Sequence, residues 1–368
     1  MAMTHTQRLK AAVAGEHLDR PCAAFWGPHL NLEELNARDL AFAMIANQEA
    51  YQWDFMKFDF SGMYFPEAFG QKMTFPENEH MDAWLNVDEW RINHAKDWLT
   101  LRPLQVKDSE VFQRNVEAVK RVCDHYQGDM PVLPTVFSPV SMAGEFVAGY
   151  FDQDKLVKML EYDTKEVEYG LQVIEETLIN LMEAYVDAGA AGFFIGLQNG
   201  LNQKLGYDAY MKYEFAGTSR IVNAIKDRTW FNMAHICNGS NTPMDREAIQ
   251  WNFDLPVTAL NYGDTWDNSL HFDEARKKTD KVLVGGIKHC AHALDRRMMN
   301  GLEGGNDFSG PYRDMVKKQL RFRVDSAIAA AGNKLVLAGG CGCYAPHRFP
   351  VFDEVLEEVA AERAAARK

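Results

Sequence analysis

The sequence predicts an α/β chain folded as a single (β/α)8 TIM barrel, and three observations carry that expectation. Short apolar runs bounded by turn residues alternate with amphipathic helical stretches, the pattern of parallel strands joined by crossover helices. Eight such runs fit in 368 residues, a length that suits eight strand–helix units. The first run is not followed by the glycine fingerprint of a dinucleotide-binding sheet, which argues against a doubly wound open sheet.

In chain order the expected strands are Ala23 to Trp26, Phe55 to Phe60, Val132 to Phe137 and Gly192 to Leu197, then Thr229 to Met233, Ala259 to Tyr262, Val282 to Gly285 and Leu335 to Gly339. Helical periodicity marks Ser109 to His125, Tyr207 to Lys226, Asp245 to Phe253 and Gly310 to Ala331, and Asp152 to Asp187 as one long or two shorter helices. A segment at about 75–104, with Trp84, Trp90 and Trp98, reads as a helical insertion packed on the barrel or as a substrate lid. No low-complexity linker or repeat divides the chain, so residues 1–368 are expected to form one domain.

With 47% hydrophobic residues the chain can bury a large core, and its formal charge of −13 argues against a nucleic-acid footprint. A small organic substrate or a protein partner is expected instead. No stretch approaches the roughly 20 apolar residues that span a bilayer. Met1 to Gly15 lacks the apolar core of a secretory signal, so a cytoplasmic location is expected. In such a reducing compartment the six cysteines are better read as metal ligands, nucleophiles or buried apolar groups than as a disulfide framework.

The most informative stretch is Phe231-Asn232-Met233-Ala234-His235-Ile236-Cys237-Asn238-Gly239. Extended backbone alternates its side chains, so His235 and Cys237 share a face and can converge on one ion. A His-x-Cys triplet alone is short and weak. The eighth unit adds Leu335-Val336-Leu337-Ala338-Gly339-Gly340-Cys341-Gly342-Cys343, another thiol just beyond a strand. Barrel active sites are assembled from loops at the C-terminal strand ends, so residues a hundred apart can meet there. One imidazole and two thiolates favour zinc over the oxygen-seeking cations, and three protein ligands with an open position is the stoichiometry of catalytic zinc. Cys343 could replace or supplement Cys341, whereas Cys22, Cys123 and Cys290 read as spectators.

Other polar or aromatic residues at strand ends are candidates to contact substrate: Trp26, His29, Asp59, Glu145, Gln198, Tyr262, Asp264 and His289. Asn199 is a further polar residue there. Asp264 and Tyr262 could orient a ligand or give acid/base help, since a carboxylate often holds a ligating imidazole. The aromatic run Phe25, Trp26, Phe58, Phe60, Tyr64 and Phe65 would suit an aromatic methyl ether, or would fill the core.

The opening Thr6-Gln7-Arg8-Leu9-Lys10-Ala11-Ala12-Val13-Ala14-Gly15-Glu16, followed by Asp19-Arg20-Pro21, resembles the start shared across the uroporphyrinogen-decarboxylase-like superfamily, as does Asp187-Ala188-Gly189-Ala190. The resemblance runs from about Thr4 to Glu358 and implies a (β/α)8 barrel. Within the superfamily, His235-x-Cys237 with Cys341-Gly342 resembles the zinc motif of the methylcobamide:thiol (coenzyme M-type) methyltransferase branch. That implies Zn(2+), methyl transfer, and methylcobalamin or a corrinoid protein as methyl donor or acceptor. Related barrels often pair as homodimers.

Four departures separate the chain from the decarboxylases themselves. Phe25-Trp26-Gly27-Pro28-His29-Leu30 has no arginine where those enzymes grip carboxylates, and their aspartate falls on Ser61, with Asp59 two residues away. Their tyrosine falls near Glu145 and their late histidine on Cys341. The expectation is therefore a zinc-dependent methyltransferase moving a methyl group between a corrinoid, or a methylated substrate, and a thiol or folate. Two alternatives stand beside it: a decarboxylase of a different acid using Asp59 or a metal, and a non-catalytic zinc-barrel binding protein.

Overall fold

The computed structural model describes residues 2–26, 36–74, 86–148, 154–198, 204–237, 245–266, 268–287, 311–342 and 350–366. Ten strands occur among them: β1 (Cys22–Ala23), β2 (Met56–Phe58), β3 (Lys72–Thr74), β4 (Asn86–Glu89), β5 (Val132–Phe137), β6 (Phe194–Leu197), β7 (Met233–Ile236), β8 (Ala259–Asn261), β9 (Val282–Ile287) and β10 (Leu335–Gly339). Eight form a parallel sheet in the order β1-β10-β9-β8-β7-β6-β5-β2, while β3 and β4 make a separate antiparallel ribbon. Pairing of the first strand with the last curls the sheet into the TIM barrel expected from the sequence. Buried Val, Ile, Leu and Phe dominate the strands, as a sheet covered by helices requires.

The seam lies between β1 and β2, and a side chain stitches it. Asp54 donates its backbone N–H to Ala23 O (2.9 Å), and its Oδ2 accepts from Ala23 N (2.8 Å). Arg8 Nη1 reaches the same carboxylate at 2.6 Å and Arg20 Nη1 at 2.7 Å, while Arg8 Nε also donates to Asp19 (2.7 Å). Burial alone would raise the Asp54 pKa, but the His5 hydrogen bond and the Arg20 and Arg8 guanidinium groups hold it well below the usual carboxylate range. The opening segment and Asp19-Arg20-Pro21 thus form an ionic clasp at the N-terminal strand ends. Thr4 and Gln7 start the helix His5–Ala14 with a capping box, and Gly15 ends it at φ 72°.

Asp154–Tyr162 and Thr164–Asp187 are two helices, and Glu110–Tyr126 starts from the Ser109 cap. The stretch expected as one helix from Tyr207 is interrupted by a π turn at Tyr210–Phe215, in which Glu214 is fully buried. The helical insertion expected at 75–104 is corrected in part. Residues 75–85, including Trp84, lie outside the described residues; the rest contributes β4 and only the short helix Ala95–Trp98. Trp98 is buried against Phe146, which supports packing rather than a lid. Among the described residues no helix is long and apolar enough to cross a membrane.

Candidate metal centre at the barrel mouth

Strand β7 places His235 opposite Gly196 of β6 and Asn261 of β8. The strand thus includes the histidine, whereas the apolar pattern of the sequence ends it at Met233. A ladder bond from Cys237 N to Leu197 O (3.2 Å) extends the pairing one residue further, so His235 and Cys237 share the barrel-facing side. Cys341 arrives from the far side of the barrel, two residues beyond the end of β10. Its approach depends on Gly340, where a Cβ would lie 2.4 Å from Gly263 Cα in the loop after β8. Only a residue without a side chain lets these loops touch.

The three donors converge. Cys341 Sγ lies 3.6 Å from His235 Nε2 and 4.0 Å from Cys237 Sγ, and all three atoms lie within 4.8 Å of one another. Tetrahedral zinc with ordinary bond lengths needs about 3.8 Å between two sulfurs and about 3.6 Å between sulfur and nitrogen. The donor set therefore fits zinc in identity and spacing. His235 is buried while both cysteines are partly exposed, so the group is approached from its sulfur side. No fourth His, Cys, Asp or Glu joins it among the described residues, and Cys343 lies outside them.

The imidazole is held by Asn261, whose Oδ1 lies 2.5 Å from His235 Nδ1. Asn261 Nδ2 donates to Val284 O (2.8 Å) and Gly339 O (3.0 Å), which fixes which end of the amide faces the ring. The histidine must therefore carry its proton on Nδ1, leaving the Nε2 lone pair toward the sulfurs. Sequence reasoning gives this task to Asp264 or Tyr262, and the structure gives it to Asn261. Asp264 instead accepts from Gly286 N (2.8 Å), and burial pushes its carboxyl up to about 7. Tyr262 turns to the other face of β8 and packs edge-on against Phe272 at 5.7 Å.

Lys57, also missed, projects into the barrel from β2 and pairs with Asp59, which further accepts from Thr135 Oγ1 (3.0 Å). Its Nζ sits 4.7 Å from the Phe194 ring, which is itself 5.1 Å from the His235 ring. Burial lowers its pKa to about 7 against the opposing pull of Cys341 and Cys237. A lysine inside an apolar strand, Phe55-Met56-Lys57-Phe58, is the signal available in the sequence.

Trp26 stands beside the centre, 5.2 Å from Phe194 and 6.4 Å from His235 between ring centroids. The other residues of the aromatic run fill core: Phe60 stacks on Tyr185 at 5.5 Å, Phe65 packs on Phe112 and Phe146, and Phe25 on Trp53 and Phe352. Glu145 is fully buried, and Gln198 follows β6. His29, Asn199, His289 and Cys290 lie outside the described residues.

The model of the family described as uroporphyrinogen decarboxylase (URO-D) matches residues 4–293. A search of curated proteins found no match. Among solved structures, a methyltransferase from Methanosarcina mazei superposes with a TM-score of 0.66 at 18% identity, over 98% of this chain and 99% of that one. A B12-independent methionine synthase from Shewanella sp. W3-18-1, in complex with selenomethionine, gives 0.52 at 12% identity, over 95% and 96%. At these identities the two structures establish the shared fold. The match over residues 4–293, most of the barrel, makes the chain a member of the uroporphyrinogen decarboxylase family.

Proposed function

We propose that the protein is a zinc-dependent methyltransferase that moves a methyl group between a corrinoid, carried on a partner protein, or a methylated small molecule, and a thiol or folate acceptor. The observation that carries this reading is the convergence of His235 Nε2, Cys237 Sγ and Cys341 Sγ within 4.8 Å. The methyltransferase and methionine synthase names of the two similar folds agree with it. Zinc held by these residues would supply Lewis acidity that keeps a substrate thiol ionised near neutral pH.

The chain's own residues would do the rest. Asn261 keeps the His235 proton on Nδ1, so the opposite nitrogen is free to ligate. The Lys57 ammonium offsets negative charge gathered on the sulfurs. Trp26 and Phe194 wall one side of the centre with apolar surface and limit water there. A decarboxylase built on Asp59 has less support, because that carboxylate is engaged by Lys57 and Thr135.

The test is metal content and methyl transfer in purified protein. His235→Ala, Cys237→Ala and Cys341→Ala should each lose both, while retaining a folded barrel. Full methyl transfer by a well-folded, metal-free variant would end the proposal. Carbon dioxide release without methyl transfer would favour the decarboxylase.

A further inference from the structure

Four buried polar side-chain atoms have no hydrogen-bond partner among the described residues: Oε1 and Nε2 of Gln198, and both carboxyl oxygens of Glu145. Native folds satisfy nearly all such atoms, so two side chains that carry four of them point to a ligand.

Leu197 pairs with Ile236, and the bond from Cys237 N to Leu197 O sets Gln198 beside Cys237. Paired residues in a parallel sheet point to the same face, so Gln198 leaves its strand on the side that carries Cys237. Gln198 N donates to Ser141 Oγ (2.8 Å), which anchors this strand end to the helix Pro139–Val147. Every residue of that helix is buried, and Ser138 and Pro139 start it directly from the end of β5. Glu145 lies one turn beyond Ser141 on the same helix face.

The chemistry of the pair selects its ligand. Burial raises the Glu145 carboxyl well above its ordinary range and so favours its uncharged form, which offers one O–H donor and an acceptor oxygen. Gln198 adds two N–H donors and one acceptor, again without charge. An ionic group set against them would lose hydration and gain no counter-charge. An apolar group would leave all four atoms unpaired. The complement is an uncharged group that both donates and accepts.

We propose that Gln198 and Glu145 form a hydrogen-bonding subsite beside the metal centre that holds a carboxamide or hydroxyl group of the small molecule reacting there. The chemistry assigned to that molecule rests on the methyl-transfer reading, whereas the binding does not.

The test uses full-length, zinc-loaded protein and three small probes, acetamide, acetate and methylammonium, with binding followed by saturation-transfer NMR. Acetamide is expected to bind and the two ions are not. Binding should survive Glu145→Gln, which keeps a neutral donor and acceptor, and be lost in Glu145→Leu and Gln198→Leu. Both leucine variants should keep their zinc and melt no lower than the parent protein, because each removes unpaired buried groups. Equal binding of acetate, or acetamide binding that survives both leucine changes, would overturn the subsite. So would a crystal soaked in acetamide that shows only ordered water against the two side chains. Acetamide binding by zinc-loaded protein that transfers no methyl group would sink the methyltransferase reading alone.

Discussion

Asn261 holds His235 from the neighbouring strand: its Oδ1 meets the imidazole Nδ1 at 2.5 Å, while its Nδ2 is tied to the carbonyls of Val284 and Gly339 on the next two strands. The ring orientation is therefore fixed by the barrel wall itself. Asn261→Leu removes the acceptor and leaves the imidazole free to rotate and change tautomer. Zinc affinity, measured by competition with a chelator, should fall about 10–100-fold. Asn261→Asp keeps an acceptor and should lose less. Equal affinity in the leucine variant would show that the contact does not orient the ligand.

Gly340 is the point where the loop after β10 touches the loop after β8, and an added Cβ would meet Gly263 Cα at 2.4 Å. Backbone cannot yield as a flexible side chain can. Gly340→Ala should cost about 1–3 kcal/mol in urea unfolding. It should also weaken metal binding, because Cys341 is the next residue. Unchanged stability together with unchanged affinity would contradict the tight approach.

The clasp at the opposite end of the barrel predicts an acid limb. Asp54 has a folded-state pKa held below its unfolded value, so its contribution is fully present above about pH 4 and lost as pH falls further. Asp19, lowered to about 2 against the opposing effect of burial, acts in the same direction. Asp54→Asn leaves Arg8 and Arg20 without their buried partner and should cost about 3–5 kcal/mol near neutral pH. Urea midpoints followed from neutral to acid pH should converge for variant and parent as pH falls. Parallel curves would mean that this carboxylate is not the titrating group.

Asp264 predicts the opposite slope. Its carboxyl, raised to about 7 by burial, favours folding when protonated. That contribution is complete below about pH 4 and is lost as pH rises through 7, because the folded chain holds a proton there that the unfolded chain has released. The decline is about 1.4 kcal/mol for each pH interval of one across that window. Asp264→Asn keeps the acceptor for Gly286 N and removes the titration. Its stability should therefore decline less between pH 5 and 8 than the parent protein's. A steeper decline in the variant would reverse the sign argued here.

The residue order alone makes the barrel legible, because burying both faces of each strand demands continuous apolar runs and eight of them recur. Val132–Phe137 and Leu335–Gly339 are legible to the residue for that reason. The two stretches that supply the candidate metal ligands are legible too, since alternation around His235 and a thiol past a strand end are local properties. Other features were decided by the tertiary structure. Asn261 and Lys57 look like polar interruptions of apolar strands until closure of the sheet turns them toward His235 and the two sulfurs. Aromatic residues that could have lined a substrate wall are mostly core, because alternation in β2 and the turn after it direct Phe58, Phe60 and Phe65 into packing with helices. A strand's pattern fixes which side chains face inward. Which of them meet depends on register around a closed barrel, a long-range relation that the linear order does not contain.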